Sequence, residues 1–279
     1  MSYTLAWVNP WVNRGVNVLD RPQTTGFGKA GDGFVEAFAK GLAVISAFNG
    51  EKRSLSMADI AERVGLPRAG ARRLLYTLVQ LGYARVHEGL FELTPKIIEL
   101  GRAFLSSAAN LDFARPIVEA LARETGELCT MSVLDGVDVI YVVRVEPALS
   151  LTRSYGVGSR LPAYATSMGR VLLAGLPPQN ARAILKASAL RKLTNRTKTD
   201  PEVLMAEIAR AGKAGWCLVQ QEIELGVCGL SAAVRNRRGA TRAAVSISFN
   251  MSRFDRRLAL EVALPRLLEA ADKLSGLSD

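Results

Sequence analysis

Apolar residues recur every three or four positions between residues 34 and 48, which is the spacing of one face of a helix. The period is set by Val35, Phe38, Ala39, Leu42, Ile45 and Phe48. In SLSMADIAERVGL, Ser56 precedes Asp59 by three residues, much as in a capping box, and Gly65 is typical of a helix end. The pattern therefore predicts two successive helices, the second of only about two turns.

A third helix follows in LPRAGARRLLYTLVQLGY, where Pro67 suits the first turn because the N–H that proline lacks would be unpaired there. One face is apolar and consists of Ala71, Leu74, Leu75 and Leu78. The other side carries Ala69, Arg72, Arg73, Tyr76 and Thr77, with Arg68 in the exposed first turn. No acidic residue occurs between Arg63 and Arg85, whereas a merely solvated helix usually interleaves glutamate with arginine. The unneutralised arginines favour an anionic partner over that alternative.

The segment YARVHEGLFELT is typical of two short strands joined at His87-Glu88-Gly89, with glycine in the turn. Helix, short helix, tight turn, basic helix and hairpin, in this order, are the pattern of a winged helix-turn-helix. In that arrangement the basic helix enters the major groove and the hairpin lies along phosphates. We therefore expect DNA contacts from Arg68, Ala69, Arg72, Arg73, Tyr76 and His87.

The rest of the chain mixes helical and strand patterns. A helical stretch is indicated by TPKIIELGRAFLSSAANLDFARPIVEALARETG, with Pro95 at an N-terminal position and Pro116 opening a second segment. Hairpins are predicted in LCTMSVLDGVDVIYVVRV, around Asp135-Gly136, and in GLSAAVRNRRGATRAAVSISF, around Arg238-Gly239. Further helices are expected near 167–175, 179–188, 201–214 and 254–275. The mixture predicts an α+β fold for this second part of the chain.

Composition narrows the class of protein. At 279 residues the chain suits two domains, and 49% hydrophobic with 22% charged residues indicates a globular protein. No apolar run is long enough to cross a bilayer, and MSYTLAWVNPWVNRG has no basic residue before its apolar stretch, so we expect a cytoplasmic protein without a secretory signal. The net charge of +10 favours polyanionic partners but does not distinguish nucleic acid from anionic lipid.

Histidine and cysteine usage argues against several kinds of site. His87 is the single histidine, so a metal cluster ligated by histidines is excluded. A Ser-His-Asp triad would have to use His87 itself. The three cysteines, Cys129, Cys217 and Cys228, each lie in apolar sequence, so we expect reduced core thiols and not disulfides or metal ligands. No metal or cofactor is expected.

Two stretches in the second part could bind a small carboxylate. Thr166 precedes SMGRVLLAGL and would cap a helix whose first N–H groups, from Ser167 onward, can hold an anion. In AAVSISF, Ser246 and Ser248 alternate with apolar residues, so both hydroxyls project from one strand face. Arg153, in LSLTRSYG, could pair with the same carboxylate, and a surface arginine on an edge strand is an equal alternative.

Three segments together resemble the IclR family of bacterial transcriptional regulators: SMADIAERVGLPRAGARRLLYTLVQLGY, LPAYATSMGRVLLA and AVSIS. The stretch RLPAYATSMGRVLLAGL is similar to the branch that regulates protocatechuate, p-hydroxybenzoate and β-ketoadipate catabolism. The resemblance covers nearly the whole chain after residue 32. It implies an N-terminal winged helix, a linker helix and a C-terminal effector-binding domain of GAF-like topology, assembled as dimers or pairs of dimers.

The resemblance and the hydrophobic pattern together give domain limits and site residues. We expect a flexible arm over 1–31, the winged helix over 32–94, the linker helix over 95–109, and an effector-binding and oligomerisation domain over 110–279. The expected effector contacts are Arg153, Leu161, Ser167, Met168, Gln220, Gly229, Ser246 and Ser248. The chain departs from the family at two places, because members often have an acidic residue at Val219 or Gln220 and a cysteine at Gly229.

Three functions fit these features of the sequence. The favoured one is a ligand-responsive regulator that binds a double-stranded operator as a homodimer or tetramer, through helix 34–48 and the linker helix, and responds to a small carboxylate such as protocatechuate, p-hydroxybenzoate or β-ketoadipate. The second is an enzyme acting on small carboxylic acids through Ser167, but ATSMG lacks the first glycine of a G-x-S-x-G elbow. The third is a non-specific nucleoid binder whose second domain only dimerises.

Overall fold

The computed structural model describes residues 34–48, 54–101, 111–147 and 155–276. The chain divides into two compact units, Met1–Ser107 and Ala108–Asp279. Within the described ranges, no helix is both long enough and apolar enough to cross a membrane. The arm expected over 1–31 and the effector contact expected at Arg153 lie outside the described residues.

The first unit has the predicted order of elements for a winged helix-turn-helix. The helices and strands up to the end of the hairpin are α1 (Glu36–Ser46), β1 (Leu55–Ser56), α2 (Met57–Val64), α3 (Arg68–Gln80), β2 (Ala84–His87) and β3 (Leu90–Leu93), and a 3-10 helix, Pro95–Ile97, follows. In the antiparallel sheet, β3 lies between β1 and β2. The sequence pattern predicts the β2–β3 hairpin, whereas the two-residue β1 is too short to show any alternation.

Local hydrogen bonds fix the turn between α2 and α3. The Ser56 hydroxyl accepts the N–H of Asp59 at 3.2 Å, and the Asp59 carboxylate accepts the N–H of Ser56, which completes a capping box. Gly65 ends α2 at φ 69°, in the left-handed region that favours glycine. Pro67 is the N-cap of α3 and not a residue of its first turn, because its ψ of 143° is extended while its carbonyl accepts the N–H of Ala71.

Helix α1 buries only part of its apolar surface within this unit. Val44 and Ala47 pack in a small core with Ile60 of α2 and Leu75 of α3. The predicted period continues over the N-terminal half of the helix, but Phe38 is 68% exposed there. We call the exposed apolar residues of this helix and its start the α1 stripe: Phe34, Val35, Phe38 and Leu42. The described residues of the unit leave the stripe uncovered.

The second unit is an α+β domain built on one antiparallel sheet. Its strands are β4 (Leu128–Asp135), β5 (Asp138–Val145), β6 (Arg160–Pro162), β7 (Trp216–Gln220), β8 (Val227–Arg235) and β9 (Thr241–Asn250). Their order across the sheet is β6-β5-β4-β9-β8-β7. The two predicted hairpins form the centre, because β4 pairs with β5 and β8 pairs with β9. The sequence pattern does not predict the short edge strands β6 and β7.

Helices cover both faces of this sheet. They are α4 (Leu111–Thr125), α5 (Ser167–Ala174), α6 (Pro178–Ala187), α7 (Pro201–Ala214), α8 (Arg256–Leu258) and α9 (Leu264–Ser275), and a π-helical segment, Ala259–Ala263, joins the last two. Val118 of α4 and Leu267 of α9 pack on one face, which we call the α4 face. Leu173 of α5, Leu185 of α6 and Leu204 of α7 pack on the other, which we call the α5 face.

Pro116 lies inside α4 and does not open it, contrary to the sequence prediction. A proline inside a helix removes one backbone hydrogen bond, and the helix continues only where packing compensates. Here Ala114, Val118 and Leu121 are buried in the core on the α4 face. Burial on both sides of the proline therefore carries the helix through it.

All three cysteines are buried and unpaired. Burial raises the pKa of the Cys129 and Cys228 thiols to about 12 and that of Cys217 to about 11. The thiols are therefore protonated near neutral pH and pack as apolar groups.

Candidate functional site

The exposed face of α3 carries positive charge that no carboxylate offsets among the described residues. Arg68, Arg72 and Arg73 are all exposed, and Ala69 lies exposed beside them. The ion pairs formed by described residues of this unit involve other side chains. The opposite face of α3 is buried, which fixes the direction in which these arginines project.

Aromatic contacts hold one of these arginines in place. The Arg72 guanidinium lies 5.7 Å from the centre of the Tyr76 ring, as in a cation–π contact. The Tyr76 ring in turn meets Phe91 of β3 edge to face, with 5.9 Å between ring centres. The exposed Arg72 guanidinium is therefore linked to the core through the rings of Tyr76 and Phe91.

The hairpin contributes one exposed histidine and one neutralised arginine. His87 ends β2, and its side chain is 90% exposed beside the turn. Arg85 pairs with Glu92 on β3 at 2.7 Å, because the strand register places the two residues opposite each other. Arg85 therefore does not belong with the unneutralised arginines of α3, although the acid-free stretch of sequence includes it.

The second candidate site begins at the first turn of α5. The Thr166 hydroxyl accepts the N–H of Gly169 at 3.1 Å, so the predicted helix cap is present. The first N–H to donate within the helix is that of Arg170, to the carbonyl of Thr166, so the N–H groups of Ser167 and Met168 have no intrahelical acceptor and remain available to an anion. A Cβ on Gly169 would lie 2.1 Å from the carbonyl oxygen of Ala163, so only glycine permits this close packing of the helix start.

The start of α5 meets a row of hydroxyl groups on the sheet. Thr130 of β4, Ser246 of β9 and Ser231 of β8 are neighbours in register, so they project from the same face. The Thr130 and Ser246 hydroxyls are 2.6 Å apart, as are those of Ser231 and Ser167 of α5. We call Thr130, Ser246, Ser231 and Ser167 the hydroxyl row.

Gly229 allows α5 to approach the sheet at this point. A Cβ at Gly229 would lie 2.6 Å from the Ser167 hydroxyl oxygen. Ser248 pairs with Gly229 across β8 and β9 and is half-buried on the same face. The family-typical cysteine at Gly229 would therefore occupy the space next to Ser167.

The other expected effector contacts lie in different surroundings. Met168 and Leu161 are buried in the core on the α5 face. Gln220 pairs with Cys228, and strand alternation therefore directs its side chain away from Gly229. The residue that pairs with Gly229 is Val219, so Val219 replaces Gln220 as the β7 residue at this site.

A cation that the sequence pattern does not predict lies on the same sheet face. Arg144 of β5 pairs with Thr130 in register, and its side chain is only 10% exposed. Its Nε atom donates to Glu146 at 3.0 Å, so the charge is already compensated. A lone arginine in the apolar stretch DVIYVVRV was the available signal, but its strand partner could not be known from the sequence.

Tyr141 lies on β5 near this arginine. Burial raises the pKa of Tyr141 to about 12, although the positive charge of Arg144 opposes the rise. Tyr155 adds a smaller contribution that raises the pKa further. The Tyr141 phenol is therefore protonated at neutral pH and can act as a hydrogen-bond donor.

A buried ionic network supports α5 behind its first turn. Arg170 is 1% exposed, donates from Nη2 to Glu222 at 2.7 Å and from Nε to the carbonyl of Tyr164 at 3.1 Å. Glu222 also accepts the backbone N–H of Lys198. The Arg170 guanidinium thus joins the turn before α5 to the segment after β7, and the Glu222 carboxylate extends the network to the segment after α6. These buried contacts fix the position of the helix start.

Two protein-family descriptions match the chain. Residues 37–88 match the IclR helix-turn-helix domain, and residues 103–276 match the bacterial transcriptional regulator IclR C-terminal domain. The first match includes α2, α3 and the strand β2 that ends at His87. The second includes the whole sheet of the second unit together with α5 and the hydroxyl row.

Individual relatives cover most of the chain. The Pca regulon regulatory protein of Pseudomonas putida is 39% identical over 86% of this chain and 83% of its own. The p-hydroxybenzoate hydroxylase transcriptional activator of Acinetobacter baylyi is 32% identical over 88% and 92%. An IclR homolog from Microbacterium hydrocarbonoxydans, solved as a complex with 4-hydroxybenzoate, is 26% identical with a TM-score of 0.75, over 86% of this chain and 98% of that one.

Proposed function

The chain belongs to the IclR family of bacterial transcriptional regulators, and from this premise we propose that it controls genes of aromatic-acid catabolism in response to a small aromatic carboxylate. Its relatives are regulators and not enzymes, which argues against the alternative of a nucleophilic Ser167. The hydroxyl of Ser167 is also hydrogen-bonded to another hydroxyl and not to a base. We also propose that the protein acts in the cytoplasm, where bacterial DNA lies.

We infer that α3 is the recognition helix. The inference is supported by the exposed Arg68, Arg72 and Arg73, whose charge no described carboxylate offsets, and by Tyr76, which braces Arg72. Arginine reads guanine edges in the major groove, while the hairpin with His87 would contact phosphates. A much higher affinity for one operator than for random DNA at moderate salt would distinguish this function from that of a non-specific nucleoid binder.

We infer that the effector carboxylate is held at the first turn of α5. The single observation that carries this assignment is that α5 begins, with the N–H groups of Ser167 and Met168 uncommitted, where the Ser167 hydroxyl bonds to Ser231. Ser231 is the cross-strand neighbour of Ser246 on β9, and Ser248 projects from the same sheet face. Arg144 is less suited to the carboxylate because Glu146 already compensates its charge. The relative solved with 4-hydroxybenzoate supports an aromatic acid as the ligand class.

We infer that the protein acts as a homodimer or a pair of dimers. One short recognition helix reads too few base pairs for useful specificity, so two are needed. The α1 stripe supplies an apolar surface for a second copy, because large apolar side chains gathered on one exposed helix face commonly mark an interface. The linker helix over 95–109, most of which lies outside the described residues, stays a prediction; it would join the DNA-binding and effector-binding parts.

Calorimetric titration of the full chain tests the effector assignment. We expect 4-hydroxybenzoate or protocatechuate to bind, and Ser248→Ala to weaken binding by about 0.5–1.5 kcal/mol because a neutral hydrogen bond is lost. Ser252→Ala, which removes an exposed hydroxyl in the turn after β9, is the matched control and should leave affinity unchanged. The absence of heat with every aromatic acid and with β-ketoadipate would remove the effector assignment and leave the DNA-binding assignment standing.

A further inference from the structure

Ser132 of β4 carries a buried hydroxyl without a hydrogen-bond partner. It lies two residues from Thr130 on the same strand, so both side chains project from the α5 face. Ser132 is fully buried, and among the described residues its Oγ atom is the one buried side-chain polar atom that lacks a partner. Buried hydroxyls are almost always paired, because an unpaired one costs free energy. The exception therefore requires a physical explanation.

The cross-strand neighbour of Ser132 is Tyr141 of β5. The Tyr141 side chain is buried on the same face, and no hydrogen bond joins its hydroxyl to any described residue. Two adjacent side chains on one sheet face thus present hydroxyl groups that the described protein does not use. A second polar position exists beside the hydroxyl row, separate from the start of α5.

The sheet register gives the spacing between this position and the proposed carboxylate position. Thr130 pairs with Ser246, so Ser132 and Ser246 are diagonal neighbours across β4 and β9. Diagonal neighbours on antiparallel strands are about 7–8 Å apart. This spacing is comparable with the length of a benzoate from its carboxylate to a hydroxyl at the para position. A meta hydroxyl points away from that axis.

We propose that Ser132 and Tyr141 bind a hydrogen-bonding group at the para position of the effector ring, and that they determine specificity for 4-hydroxylated aromatic acids over the unsubstituted acid. The inference rests on the proposed function, in which the start of α5 and Ser246 hold the carboxylate. The para hydroxyl would donate to the Ser132 oxygen and accept from the Tyr141 phenol. Both unused hydroxyls would then be paired in the bound state.

The test compares three ligands on the full chain by calorimetry: benzoate, 3-hydroxybenzoate and 4-hydroxybenzoate. The wild-type protein should bind 4-hydroxybenzoate most tightly. Ser132→Ala and Tyr141→Phe should each reduce its preference over benzoate by about 3- to 10-fold, the factor for one neutral hydrogen bond. Neither variant should change the affinity for benzoate, which lacks the para group. The control Ser252→Ala should retain the wild-type preference.

Thermal unfolding without ligand separates a binding role from a structural one. Ser132→Ala should leave the unfolding midpoint unchanged or raise it, because the variant removes an unpaired buried hydroxyl, whereas a serine that stabilises the fold would show a lower midpoint. Equal wild-type affinity for benzoate and 4-hydroxybenzoate, or an unchanged preference in both variants, would overturn the proposal while benzoate binding still supports the effector site. A wild-type protein that binds none of the three acids would overturn the proposed effector class together with this inference.

Discussion

Arg72 and Arg85 lie in the same unit, but their charged groups have different neighbours. Arg85 is paired across the hairpin with Glu92, whereas Arg72 has the Tyr76 ring beneath it and no described carboxylate beside it. A guanidinium with an aromatic brace is partly ordered before it meets a partner, so less side-chain entropy is lost on binding. These two arginines therefore offer a matched comparison within one small unit.

We predict that Arg72→Ala lowers operator affinity by about 1–3 kcal/mol and relaxes base preference at one position, because arginine makes paired hydrogen bonds to guanine. Arg85→Ala should change affinity much less, since its charge is compensated in the free protein. The measurement is fluorescence anisotropy at fixed salt, with an operator selected from random DNA. Unchanged affinity in the single alanine variants of Arg68, Arg72 and Arg73 would contradict the assignment of α3.

At the scale of elements, α5 is positioned by close packing at both ends. Gly169 in its first turn packs on the backbone of Ala163, and a Cβ on Gly175 at its end would lie 2.4 Å from the Thr241 side chain. Arg170 holds the same helix from behind through Glu222. The proposed carboxylate site is therefore built on a helix whose position has little freedom, as precise ligand binding requires.

Gly169→Ala should destabilise the second unit by about 1–3 kcal/mol, the usual cost of inserting a methyl group into a filled space. Gly156→Ala is the matched control, because nothing lies within 4 Å of a Cβ at that exposed glycine. Urea unfolding followed by circular dichroism measures both variants. Equal stability of the two would show that the start of α5 can shift without cost, contrary to the packing described above.

The helices and hairpins that could be predicted are those whose sequence signal lies within a few neighbouring residues. Most helices and three hairpins are predicted from helical spacing, from the Ser56 and Thr166 caps and from the turn glycines, because each of these signals spans few residues. The hydroxyl row could not be predicted, since Thr130 and Ser246 meet only through the pairing of strands that are distant in sequence. Strand register also decides that Val219, and not Gln220, lies beside Gly229.

At the scale of the whole molecule, two surfaces proposed to cooperate lie in different units. The arginines of α3 belong to the first unit and the proposed effector site to the second. A ligand alters DNA binding only if it favours one arrangement of the DNA-binding units over another. In an oligomer this arrangement includes the spacing of two recognition helices, so the contact between copies becomes part of the response.

We predict that Phe38→Asp disrupts self-association through the α1 stripe, because a carboxylate placed in an apolar contact between copies must be desolvated. Sedimentation velocity at micromolar concentration should show smaller species, and operator affinity should fall with them. Val203→Asp, at an exposed apolar position on α7, is the control and should sediment as the wild type does. A wild-type protein that sediments as a monomer with and without DNA would refute the oligomer.

The burial of the three cysteine thiols has a practical consequence for labelling experiments that follow the proposed response to a ligand. Thiol-selective dyes and spin labels react with the thiolate, and burial holds the pKa of Cys129, Cys217 and Cys228 at about 11 to 12. The natural chain is therefore nearly silent to maleimide chemistry while it remains folded. A cysteine introduced at the exposed Gln80, at the end of α3, would be the one labelled residue, and in the proposed oligomer the distance between two labelled copies could then be read before and after an aromatic acid is added.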